Sequence, residues 1–181
     1  MKTKTNFRWL IKTVLISVVA SMVFTLATSE ILGKAGYTIS FVVLAVFIVL
    51  GIFFDIIGVA VTVASEAPFH SMAAKRERGA LESLRLIKNA DKVASFCNDV
   101  VGDVTGIISG TTAALIAARL MEGLSTENLL FPLLISGAVT GLTVGGKAVG
   151  KTVAINNSTA IVHRVGRLIN FLHLGNTGKQ H

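Results

Sequence analysis

Gly145-Gly146-Lys147-Ala148-Val149-Gly150-Lys151-Thr152 spells G-x-x-x-x-G-K-T, the loop whose backbone N–H groups cradle nucleotide phosphates while its lysine reaches the terminal ones. Carboxylates offer a second chemistry. Asp99 and Asp103 are four residues apart, hence on one helical face, where two carboxylates can share a cation or pair with a lysine. Asp55 stands inside an apolar run, and Ser65-Glu66 closes that run. His70, His163, His173 and His181 lack metal-ligand spacing such as H-x-x-x-H, and no serine or cysteine has a nucleophile-elbow context. Cys97, the single cysteine, excludes a disulfide framework and a cysteine-based zinc site within one chain. A hydrolase has no support in these residues, and the chain is not expected to be an enzyme.

The elements that must position these groups are set by composition. Of 181 residues, 52% are apolar and only 15% charged, a balance that belongs to a membrane protein. The net charge of +7 would suit nucleic acid, but the basic residues fall in blocks between apolar runs, without interleaved aromatics. Orientation in a bilayer explains the blocks better, and no nucleic-acid partner is expected.

Lys2, Lys4, Arg8 and Lys12 precede an apolar run over Thr13–Thr28, read as a first membrane helix starting near Trp9. The same residues fit a signal peptide, with Thr25-Leu26-Ala27 as its cleavage site. Ser40–Ala64 is the strongest span. Its small and β-branched second half, from Gly58 to Ser65, suits close helix packing in lipid, and Asp55 within it is a functional residue or an acid bonded inside the bundle. His70–Lys92 is basic and amphipathic, with Met72, Leu81, Leu84 and Leu86 on an apolar side, and predicts helices on the cytosolic membrane surface. After the break at Asn89-Ala90-Asp91, Val93–Leu120 forms a third span, with Asn98, Asp99, Asp103 and Thr105 in its first half; a later helix start would leave both acids in water. Leu129–Val144 is the last span, striped by Gly137, Gly141 and Gly145 for close helix contact. An amphipathic segment with Lys147, Lys151, Arg164 and Arg167 comes next, then a polar tail over 173–181.

The expected fold is therefore all-α and polytopic, with about four transmembrane helices and cytosolic amphipathic helices. Four spans put both termini on one side. Since chiefly Lys34 and Arg119 fall on the other, the positive-inside rule places the termini and the 70–92 segment in the cytosol of a plasma-membrane protein. This setting also weakens the phosphate loop. A working one lies between a β-strand and a helix and needs further strands with an acid for Mg²⁺, whereas here an apolar span precedes it and Asn156-Asn157-Ser158 soon interrupts any helix after it. No nucleotide is expected to bind.

One ordered set of motifs remains: Ala64-Ser65-Glu66-Ala67-Pro68 at the end of a small-residue span, then basic juxtamembrane residues, Asn89-Ala90-Asp91-Lys92, another span, and Gly146-Lys147-Ala148-Val149-Gly150-Lys151. The order resembles the transmembrane domain of the CNNM/CorC family of magnesium transporters, whose corresponding motifs are Ser-Glu, an Asn-Pro-Asp-type turn and Gly-Glu-x-x-Pro-Lys. It covers about residues 42 to 172. The resemblance implies a domain over 40–172 that dimerises in the membrane and holds Mg²⁺ between its helices, with 1–39 an added N-terminal segment and no counterpart of the family's CBS domains. The resemblance carries over Ser65, Glu66, Thr105 and Lys147; joined to the acids already singled out, the expected metal-site residues are Ser65, Glu66, Asp103 and Thr105, with Asp55, Asp99 and Lys147 lining the same cavity. The departures are Val63 for a small hydroxyl residue, Thr105 for an asparagine, Gly150 for the proline and Lys147 for the ion-binding glutamate. An ammonium cannot ligate Mg²⁺ and repels it by about 4 kcal/mol per unit charge at 4 Å, doubled for a divalent ion. Lys147 either fills the cavity as a tethered cation, paired with Asp99, Asp103 or Asp55, or snorkels to the interface. The rival expectation is a non-transporting membrane interaction protein that keeps the fold.

Overall fold

In lipid every backbone N–H and C=O must find its partner inside the protein, which leaves a long apolar run the helix as its workable form. The computed structural model describes residues 7–34, 36–123, 128 and 130–177, and those residues form helices and no strand. In order these are α1 (Phe7–Lys34), α2 (Tyr37–Val63), α3 (Ala67–Ala74), α4 (Ala80–Lys88), α5 (Ala90–Ser95), a π-helical segment (Phe96–Gly102), α6 (Asp103–Gly123), α7 (Leu130–Asn156) and α8 (Ser158–Thr177). Ile11–Glu30, Tyr37–Val63, Ala90–Gly123 and Leu130–Asn156 are long and apolar enough to cross a membrane. The chain is an all-α polytopic membrane protein. Lys2, Lys4, Glu127 and His181 lie outside the described residues.

Three boundaries differ from the sequence reading. The third span begins at Ala90 rather than Val93. The last continues through Gly145–Thr152 to Asn156, since glycine is common within membrane helices and does not by itself end one. The stretch spelled like a phosphate loop is thus helix interior, its N–H groups engaged in the helical ladder. α8 reaches Thr177, five residues into the segment read as a tail.

The chain divides into two compact units, with the boundaries after Ile52, Asn98 and Gly146. In the first, α1 lies along α6. Leu44 and Ile48 of α2 pack with Ala113 and Ile116 of α6, surrounded by Ile52, Leu120, Ile135 and Val139. The Tyr37 hydroxyl donates to the Arg119 carbonyl at 3.1 Å, and Gly51 faces Thr105, so α2 and α6 run antiparallel. Phe24 of α1 meets Phe47 of α2 edge to face at 6.4 Å.

The second unit is centred on Ile57, Ala60, Val61, Phe69, Leu84, Cys97, Ala154 and Val162. Here α4 lies on α8. Ser83, fully buried, donates its hydroxyl to the Gly79 carbonyl at 2.8 Å and lies 3.2 Å from the Val162 carbonyl, and Gly166 leaves the room this approach needs. Gly79 caps α4 in the left-handed region at φ +83°, where a side chain would be strained. Of the apolar side predicted for 70–92, Leu84 is buried and Met72 and Leu86 half-buried, while Leu81 stays 60% exposed because Ala80, Ser83 and Leu84 turn toward α8 instead.

Candidate functional site

The third span does not form one regular helix. Between α5 and α6 the seven residues Phe96-Cys97-Asn98-Asp99-Val100-Val101-Gly102 are π-helical, a departure that concentrates at functional sites. Where the ladder returns from i→i+5 to i→i+4 bonding, a carbonyl is left short of its backbone donor. The Thr105 hydroxyl lies there, 2.8 Å from the Val101 carbonyl and 3.0 Å from that of Gly102, donating its proton across the junction. Thr105 is buried at 6% exposure, and its oxygen would sit 2.7 Å from a Cβ placed on Gly51.

Asn98, within the π segment, lies over Gly58 of α2 so closely that a Cβ there would collide with its amide. Its Oδ1 is buried and accepts no hydrogen bond among the described residues. A buried carbonyl oxygen without a donor costs about 1–3 kcal/mol, so it is a free ligand for a cation or a water. Sequence reasoning noted Asn98 as polar but left it out of the site. The available signal was spacing: Asn98 and Thr105 are seven residues apart, as are Gly51 and Gly58, the small residues that receive them.

The carboxylates take less enclosed positions. In the first unit Asp99 and Asp103 are both exposed; in the second, Asp55 and Lys147 are half-buried and Ser65 and Glu66 are exposed. Glu66 precedes α3, and its Oε2 lies 3.4 Å from His70 Nε2, an ion pair when the imidazole is protonated. Within its unit Lys147 makes no ion pair with Asp55 or Glu66. No three His, Cys, Asp or Glu side chains among the described residues converge as a metal would require.

These groups also differ in their position along the helices. Asp55 lies about 27 Å from the Tyr37 end of α2, Asp103 about 30 Å from the Gly123 end of α6, and Lys147 about 26 Å from the Leu130 end of α7. Asp55 and Lys147 thus stand about two-thirds of the way along their spans, and Asp103 within the first half of Ala90–Gly123.

No protein-family model, curated protein or solved structure matches the chain.

Proposed function

We propose that the chain handles a divalent cation, Mg²⁺ by preference, at a CNNM/CorC-like set of spans whose ion site is altered at Lys147. The observation that carries this is the buried, unpartnered Asn98 Oδ1 in a π-helical turn, a hard oxygen ligand of the type Mg²⁺ accepts while keeping several of its waters. Asp55 is three residues from Gly58, on the side of α2 that receives Asn98, and supplies a carboxylate within one turn of it. On this reading the Lys147 ammonium, half-buried and without an ion pair to Asp55, weakens ion binding by charge repulsion. The protein is a homodimer in the plasma membrane with both termini cytosolic.

Mg²⁺ titration of the purified chain with and without Lys147→Glu tests this. Weak wild-type binding and at least tenfold tighter binding by the variant are expected, since a repelling charge becomes an attracting one. Tight binding by the wild type would sink the altered-site reading. Failure of the glutamate to strengthen binding would sink the register that aligns Lys147 with the family's acid.

A second reading, a non-transporting accessory subunit, draws on the last span. Gly137, Gly141 and Gly145 are exposed, with nothing within 4 Å of the positions their Cβ atoms would take. The close helix contact expected of this stripe is not made within the described residues, leaving it open to a second copy or to another membrane helix.

A further inference from the structure

We propose that the second unit carries a binding site for the phosphate of an anionic phospholipid, built by Arg78, Arg164 and Arg167. These three side chains line a cavity of about 370 Å³ with Leu168, Asn170 and Phe171. The site is assembled from two distant segments. Arg78 immediately precedes Gly79, whose left-handed turn presses the start of α4 against the α8 backbone at Gly166 and Arg167. That approach carries Arg78 to the pair of arginines one helical turn apart on α8.

The lining joins basic side chains to an apolar surface, a combination that suits the phosphate of a lipid. Three arginines and no carboxylate are among its lining residues. Glu82 of α4 is engaged: its Oε1 accepts from Asn170 Nδ2 at 3.0 Å, which also holds Asn170 at the cavity wall. Arg167 Nη2 lies 3.4 Å from His163 Nε2, a neutral or cationic neighbour that offers no opposing negative charge. Planar guanidinium forks match phosphate oxygens in pairs, an advantage over lysine that an unpaired cluster of three exploits fully.

The apolar part of the lining identifies the phosphate as a lipid's rather than a soluble one. Leu168 and Phe171 are 60% and 73% exposed, and Leu172 continues the same strip at 64%. Such a face in water is unfavourable, but acyl chains cover it while the phosphate meets the arginines above. α8 starts at Ser158, two residues after the last membrane span ends at Asn156, and its apolar strip next to basic residues is the pattern of a helix that lies along a membrane surface. Leaflets rich in anionic lipid attract such basic clusters by about 1 kcal/mol per arginine.

Native mass spectrometry of the full chain in detergent, titrated with phosphatidylglycerol, phosphatidylcholine of the same acyl chains and inorganic phosphate, tests the site. Phosphatidylglycerol should bind at least tenfold tighter than phosphatidylcholine, and inorganic phosphate should not displace it at equal concentration. Arg164→Gln should cost about fivefold in affinity, and Arg78→Gln with Arg164→Gln and Arg167→Gln on the order of 100-fold. A charge-matched control, Lys75→Gln with Arg85→Gln and Lys88→Gln, should cost under fivefold. Equal losses from the two triple variants would overturn the site in favour of diffuse surface charge. Equal binding of the two lipids would overturn its preference for anionic lipid, and competition by inorganic phosphate would reassign it to a soluble ligand. Helical circular dichroism and an unshifted gel-filtration peak establish that each variant is folded.

Discussion

At the scale of single residues the decisive contact is Asn98 on Gly58, and what a methyl group would do there can be argued from which atom it meets. A Cβ on Gly58 collides with the end of the Asn98 side chain, which can rotate away. Gly58→Ala should therefore cost only about 1 kcal/mol in stability, the scale of an off-rotamer side chain, yet displace the amide oxygen from its station. Thermal unfolding in detergent checks the first point, and loss of the tighter Mg²⁺ binding expected of Lys147→Glu, when Gly58→Ala is added to it, checks the second. Unchanged binding in the double variant would remove Asn98 from the ion site. This contact was only partly legible in the sequence. An asparagine in an apolar run announces itself, but its partner glycine lies 40 residues away and many small residues compete for that role. Lys147 stood out as a lysine directly after a glycine-striped apolar span, whereas its half-buried setting without an ion pair to Asp55 or Glu66 was not legible.

Among the elements, the four spans were readable because lipid demands long uninterrupted apolar helices, and composition reports that demand directly. The π segment was not, since an i→i+5 turn leaves no distinct periodicity over seven residues. Nor was the α4–α8 pairing, which depends on Ser83, Gly79 and Gly166 fitting together across 80 residues of chain. Here a methyl group meets backbone. A Cβ on Gly166 would lie 2.6 Å from the Gly79 carbonyl oxygen and 2.9 Å from the Ser83 nitrogen, so the helices must separate. Gly166→Ala should destabilise the second unit by about 1–3 kcal/mol, more than Gly58→Ala, because overpacking against backbone has no rotamer to escape into. Chemical denaturation followed by circular dichroism would show the order of the two; the reverse order would mean that α4 and α8 are not closely packed.

For the whole molecule the question is orientation. If both termini are cytosolic, as proposed, a cysteine placed at Gly36 or Asn128 in a Cys97→Ala background should react with a membrane-impermeant thiol reagent added outside intact cells. One placed at Lys75 or Arg85 should react only after permeabilisation. The opposite labelling would invert the topology and move the arginine cavity to the outer leaflet, where anionic lipid is scarcer. The same four spans also frame the meaning of the π turn. A π turn holds one residue more than the α turn it replaces, so in genetic terms it is an insertion that the helix absorbed instead of looping out. Loss of one codon between Asn98 and Gly102 would leave the span continuous, yet turn Asn98 by about 100° relative to α6. The amide over Gly58 is thus a trait that a single small mutational event can confer or erase while the membrane architecture passes on unchanged.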